Sequence, residues 1–172
     1  MSGTSSNKSL DQVDNFMKNI KSFLEETVEI INLTYEDYPG LQKKYNISID
    51  ANLLLGFIQL LDICDLKMKQ KIVSDFIDKS SPFWDGILHQ DKDFLIHHVT
   101  SVFPDSKYVR DISFFFGNNA DEKIYIEDED TLQYLWDILK GMVSLSLKYL
   151  HYSGIPSKVN VADEMVKWNI TV

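Results

Sequence analysis

The stretch LDQVDNFMKNIKSFLEETVEII, residues 10–31, decides the fold, because its apolar side chains repeat with the period of an α-helix. One set alternates spacings of three and four residues, which is the a/d seam of a heptad. The members of this seam are Leu10, Val13, Met17, Ile20, Leu24, Thr27 and Ile31. A third apolar position recurs every seventh residue, at Phe16, Phe23 and Ile30. The stretch therefore predicts one long amphipathic helix, capped by Ser9 or Asp11.

The width of this apolar stripe indicates what the helix packs against. A two-stranded coiled coil uses a narrow seam of two apolar positions per heptad, whereas three positions suit a helix docked on a globular core. The pattern favours packing within the chain, and self-association through the stripe is the alternative.

Three further helices are predicted along the chain. Asp50 is a suitable cap for a helix that runs to about Cys64, and apolar residues cover nearly its whole circumference. This pattern predicts the most buried helix of a bundle. Asp65 is placed to cap the next helix. The acidic run at residues 127–130 precedes a long, mostly apolar segment, residues 131–154, and carboxylates stabilise a helix N-terminus.

Residues 108–116 permit two structures. Aromatic and branched side chains fall at helical spacing, at Tyr108, Val109, Ile112, Phe115 and Phe116, after Pro104. Gly117 and Asn118 follow as a helix stop. The alternative is a short β-hairpin near 112–126, with strands ISFFF and KIYIE, because such residues also favour strands. The helix is the favoured prediction.

The domain organisation follows from these segments. Residues 1–9 are small and polar, which predicts a flexible tail. Residues 10–172 contain no repeat and no low-complexity linker. The predicted fold is all-α: a single-domain bundle of about six helices, spanning 10–172.

The charge balance argues against direct nucleic-acid binding. The chain has 17 Lys and Arg against 26 Asp and Glu, a formal net charge of −9, and Arg110 is the only arginine. Nucleic-acid binding normally requires a stripe of basic residues. An acidic mimic of nucleic acid is a remaining alternative.

The sequence also predicts an intracellular protein. The first residues lack the basic and then apolar pattern of a signal peptide. No run of about 18 apolar residues is present, so no membrane span is expected. The single cysteine, Cys64, has no partner for an internal disulfide. Cytoplasm, nucleus and virion are all compatible locations.

The stretch SSPFWDGILHQDKDFLIHHV, residues 80–99, is where the sequence best suggests chemistry, since it holds three of the four histidines and several aspartates. The candidate metal ligands are Asp91, Asp93, His97 and His98. On one continuous helix from Pro82 to Val102, Asp93 and His97 would lie at i and i+4, and Asp91 and His98 would lie two turns apart. This arrangement predicts a metal-dependent hydrolase as the alternative function.

A structural explanation of the same stretch is favoured. Ser81 followed by Pro82 is typical of a helix start. Gln90 and Asp91 could mark a break between two helices. Asp91 would then cap a second helix, and the negative charge of Asp93 in its first turn would interact favourably with the helix dipole. Each aspartate then has a structural role, so capping is expected rather than chemistry.

Motifs of catalysis and cofactor binding are absent from the sequence. It contains no phosphate loop, no GxGxxG turn, no HExxH, no paired CxxC and no GxSxG. We therefore expect no catalytic residues and no cofactor, and an enzyme is the less favoured class.

The run FIDKSSPFWDGILHQDKDFLIHHVTSVF, residues 76–103, resembles a pattern in uncharacterised helical proteins of large DNA viruses of eukaryotes. The shared elements are an apolar helix end, an aromatic-Trp-Asp step and an acidic pair before Phe-Leu. They cover under a fifth of the chain. The resemblance implies a viral origin and no particular activity, so it assigns no functional residue.

The predicted function is therefore a non-enzymatic protein–protein interaction or assembly component, with a viral structural or regulatory role. The expected partner is a protein, either a second copy or another chain. The features that favour this are the broad stripe of the first helix and the run Phe114-Phe115-Phe116, since a domain of this size has limited room to bury both.

Overall fold

The computed structural model describes residues 2–103 and 109–172, and this part of the chain is an all-α helical bundle, as predicted. Its α-helices are α1 (Ser2–Asp37), α2 (Leu41–Tyr45), α3 (Ala51–Ile63), α4 (Leu66–Ser80), α5 (Trp84–Leu88), α6 (Lys92–His98), α7 (Val109–Phe114), α8 (Glu129–Ser153) and α9 (Val161–Lys167). Short 3-10 turns occur at Ser81–Phe83 and Val99–Ser101. The described residues contain more helices than the six expected, because residues 80–99 divide into α5 and α6 and because α2 forms in the connection before α3. Among the described residues, no helix is both long and apolar enough to cross a membrane.

Helices α1 and α8 form the centre of the bundle and pack along each other. The seam of α1 and its additional phenylalanines are almost all buried, as are the apolar residues of α8 that face them. The Asn19 side chain of α1 occupies the space beside Gly141 of α8, where a Cβ would lie 2.6 Å from its Nδ2 atom. The broad stripe of α1 therefore serves the core within the chain, which was the favoured prediction.

The start of α1 differs from the prediction. The sequence predicted a flexible tail over residues 1–9, whereas α1 begins at Ser2. Ser9 is buried, and its hydroxyl donates to the carbonyl of Ser6 at 2.8 Å instead of capping a helix. The Lys8 ammonium lies 5.4 Å from the ring centroid of Tyr152, near the end of α8. Contacts with α8 thus extend the helix into the polar segment.

The segment around α7 combines parts of both predicted structures. Its helix ends at Phe114, and Tyr108, where the predicted helix was to start, lies outside the described residues. Phe116 and Ile124 form one isolated antiparallel bridge, so the hairpin alternative is reduced to a single bridge in the described part of the chain. Gly117 has φ +107°, and a Cβ there would lie 2.7 Å from Ile96 Cγ1. Only glycine fits this turn.

We expect Phe23→Ala to lower the free energy of unfolding by about 3–5 kcal/mol, because it deletes a fully buried ring. Phe23 is 0% exposed and packs against Phe103 and Phe116, with ring centroids 5.5 and 5.9 Å away. Urea denaturation measures the change. The control is Leu60→Ala on α3, which is 59% exposed and should change stability by less than about 0.5 kcal/mol. Equal losses for the two variants would contradict this assignment of the core.

Tyr35 ties α1 to the connection before α3, and it should make stability depend on alkaline pH. Its hydroxyl donates to the Ile49 carbonyl at 2.8 Å, and burial raises the pKa of Tyr35 to about 12 from 10.0. A raised pKa favours the protonated form in the folded state, so this contribution is complete below pH 10 and is lost as the pH rises through 12. The difference in unfolding free energy between wild type and Tyr35→Phe should therefore change across that interval. A constant difference would contradict the assignment.

Candidate functional site

The stretch at residues 80–99 folds as two short helices rather than one. Gln90 adopts φ +51° and breaks the chain between α5 and α6. Asp91 then caps α6, since its Oδ1 atom accepts from the Asp93 N–H at 3.0 Å. The capping hypothesis is confirmed for Asp91 by this geometry.

The four candidate ligands differ in their surroundings. Asp91, Asp93 and His97 are exposed to solvent. His98 is half-buried and stacks on Phe83, with ring centroids 3.8 Å apart and planes inclined by 9°. Over residues 2–103 and 109–172, no group of three or more His, Cys, Asp or Glu side chains is placed to hold a metal ion. The described residues thus contain no arranged site for the metal-dependent hydrolase hypothesis.

The two features that favoured an interaction surface in the sequence lie in the core. Phe114, Phe115 and Phe116 are all buried, and so is most of the stripe of α1. The stripe of α1 is covered by α8, α3 and α4, and the phenylalanine run packs near the end of α1, where Tyr35 and Phe115 meet edge to face at 5.7 Å. An interaction surface has to be sought elsewhere on the molecule.

Helix α3 is only half covered, whereas the sequence predicted that it would be the most buried helix. It packs on α1 through one face, formed by Ala51, Leu54, Ile58 and Leu61. The prediction was wrong because α3 lies at the edge of the bundle. Phe57 and Cys64 still pack against the core, whereas Leu53, Leu55, Leu60 and Ile63 are exposed.

The second apolar face of α3 is exposed along the length of the helix. Its residues follow the helical spacing i, i+3, i+4, i+7, i+10 and i+11. They are Leu53, Gly56, Phe57, Leu60, Ile63 and Cys64, and we name this set the α3 apolar face. Leu60 and Ile63 are 59% and 79% exposed, while Phe57 and Cys64 are half-buried at its edge. Two more exposed apolar side chains, Leu66 and Met68, follow at the start of α4.

Gly56 lies in the middle of this face and is not required by the fold of the described residues. A Cβ at this position would meet nothing within 4 Å. Glycine inside a helix costs about 0.5–1 kcal/mol relative to alanine. The glycine leaves a flat, open position at which another polypeptide could approach the backbone of α3.

The charged residues of the segment that carries α3 are all negative, and Lys67 follows at the start of α4. The segment 45–66 contains no lysine or arginine, and its charged residues are Asp50, Asp62 and Asp65. Asp50 and Asp65 cap α3 and α4 by accepting from backbone N–H groups at 2.9 Å. Asp62 pairs with Lys21 of α1 at 3.1 Å, and both side chains are more than a third exposed. The surface is therefore an apolar stripe with Asp50 and Asp65 at the ends of α3, and Lys67 lies beside its extension onto α4.

Two cavities lie elsewhere on the surface. One, of about 200 Å³, opens between the end of α1 and the start of α8. The other, of about 370 Å³, lies between α4 and α9 and is bordered by Trp84 and Glu164. The Oε2 atom of Glu164 and the Nε1 atom of Trp168 are buried without a hydrogen-bond partner in the described part of the chain. Sequence reasoning found neither cavity, because each is formed by helix ends that are far apart in the chain.

The comparisons with known proteins identify no relative. No protein-family model matches the chain. It has no significant similarity to a curated protein or to a solved structure. The resemblance of residues 76–103 to viral proteins therefore stays a prediction.

We expect Asp91→Ala to lower the free energy of unfolding by about 1 kcal/mol, because it removes the side-chain cap of α6. Asp91→Asn should retain most of the stability, since an amide oxygen caps equally well. Urea denaturation gives the values, and His97→Ala is the control with an unchanged stability.

Native mass spectrometry of zinc-treated protein supplies a second test of Asp91. Binding of one zinc ion per chain that is lost in Asp91→Asn would contradict a purely structural role.

Proposed function

We propose that this protein is a non-enzymatic interaction component that binds another protein through the α3 apolar face. The observation that carries the proposal is the unpartnered second face of α3, with Leu60 and Ile63 largely exposed. Contiguous apolar patches are uncommon on monomeric proteins and mark sites of association.

The shape of the surface favours a helical or grooved partner. The α3 apolar face is one side of a straight helix of 13 residues, about 20 Å long. Amphipathic helices bind other proteins through apolar residues at this spacing, with the anchors seated in a groove or against a second helix. Leu53, Leu60 and Ile63 supply such anchors.

The charges favour a partner with basic residues beside its apolar surface. A second copy would bring together two chains that each have a net charge of −9, and on each of them Lys67, beside Leu66, is the one cation within residues 45–68. A basic partner would meet Asp50 and Asp65 instead, and such complementarity promotes correct association. We therefore assign the face to a different protein.

The α3 apolar face alone is smaller than the contact area of a stable complex. A stable interface buries about 800 Å² on each side. One side of a helix of 13 residues supplies only part of that area, so the contact should continue over Leu66 and Met68 at the start of α4. The resemblance of residues 76–103 to viral proteins supports a structural or regulatory component of a virus, acting inside the infected cell.

The double variant Leu60→Ser/Ile63→Ser should weaken partner binding by at least about 100-fold, because burying each side chain contributes about 1.5–3 kcal/mol. The partner is first identified by a photo-cross-linking residue placed at position 60 in cells that make the protein. Its affinity for wild type and variant is then measured by calorimetry at two salt concentrations. A higher salt concentration should weaken binding to a basic partner.

The matched control is Ile155→Ser/Val166→Ser, which removes two exposed apolar side chains, 45% and 82% exposed, far from α3 in the chain. This variant should bind as wild type does. Equal losses in both variants would contradict the proposal. Sedimentation of the protein alone should show a monomer, and a dimer that Leu60→Ser/Ile63→Ser abolishes would overturn the assignment to a different protein.

A further inference from the structure

The cavity between the end of α1 and the start of α8 has a chemical character of its own. Its volume is about 200 Å³. Tyr38 and Tyr125 form aromatic walls, and their rings meet edge to face at 5.5 Å. Leu33, which is 57% exposed, lies at the apolar side. The cavity is therefore partly aromatic and partly apolar, and it is open to solvent.

The two tyrosines already hold a cation. The ammonium of Lys123 lies 4.4 Å from the ring centroid of Tyr38 and 4.9 Å from that of Tyr125. It also donates to the Tyr38 hydroxyl oxygen at 2.8 Å, and Tyr38 in turn donates to Glu127 Oε1 at 2.5 Å. The chain itself shows that these rings stabilise a positive charge, as cation–π contacts do.

The negative charges at the cavity exceed this one cation. Asp37, Glu127 and Asp128 all line it. In the ranges that the structure describes, none of the three forms a salt bridge, and Asp37 has no side-chain hydrogen bond. Asp128 is used as the cap of α8. Asp37 ends α1, where the helix dipole also favours a positive charge.

We propose that this cavity binds an arginine side chain of another polypeptide. The planar guanidinium carries five N–H donors, which can donate to the carboxylates of Asp37 and Glu127. Both carboxylates line the cavity beside its aromatic wall, and a guanidinium also packs well against aromatic rings. Its apolar methylene stem would lie over Leu33. An ammonium is a point charge without the planar fork of N–H donors that can pair with carboxylates in a bidentate manner, so a lysine side chain should bind more weakly.

This inference is separate from the α3 apolar face. The cavity uses Ile30, Thr34 and Asp37 of α1, which share one side of that helix. Lys21, which pairs with Asp62 of α3, lies on roughly the opposite side by helical spacing. The two surfaces can therefore be tested one at a time.

The test is a titration followed by the backbone amide NMR signals of the full chain. The probes are N-acetyl-arginine amide, the lysine analogue and the citrulline analogue, which has nearly the shape of arginine and no charge. Arginine should shift the signals of Tyr38, Tyr125 and Thr131 in a saturable manner. Citrulline should cause no such shifts. Similar shifts with citrulline, or tighter binding of lysine, would overturn the proposal.

The variant Asp37→Asn/Glu127→Gln should weaken arginine binding about tenfold or more, because it removes both charged acceptors and preserves the shape of the cavity. The matched control is Glu36→Gln/Glu122→Gln, which removes the same net charge from neighbouring residues that do not line the cavity. This control should bind arginine as wild type does. Equal weakening in both variants would show that only the overall charge matters and would overturn the site. A dispersed spectrum confirms that each variant is folded.

Discussion

The contact between α1 and α8 is the constraint on which the rest of the structure depends. These two helices have 36 and 25 residues, and each buries a broad set of apolar side chains. The three apolar positions per heptad in α1 are necessary because α8, α3 and α4 all pack on it. Short helices α5 and α9 then pack on α8 and complete the core.

The acidic composition is partly explained by helix capping. Asp50, Asp65, Asp91 and Asp128 each accept from backbone N–H groups at the start of a helix. Many short helices require many caps, and aspartate is among the best. These carboxylates lie at separate helix ends, and the described parts of the chain contain no converging group of metal ligands. Their charges contribute to the net charge of −9.

Two surfaces differ in how they could engage a partner. The α3 apolar face offers area and few polar groups, so its contribution to binding would come from removal of apolar surface from water. The cavity beside Tyr38 offers charge and an aromatic wall, so its contribution would be directional and sensitive to salt. Both surfaces favour basic residues in the partner. The negative net charge of the chain would accelerate the approach of such a protein.

The sequence by itself determined the all-α class, the long helix over residues 10–31, and the caps at Asp50, Asp65 and Asp91. These depend on periodicity and on local hydrogen bonds, which a few neighbouring residues specify. Only the tertiary structure decided which apolar faces are covered. The pattern of α3 is that of a fully buried helix, yet its position at the edge of the bundle leaves one face exposed. Likewise, Tyr38 and Tyr125 meet because α1 ends where α8 begins, a relation between residues 87 positions apart that no local pattern encodes.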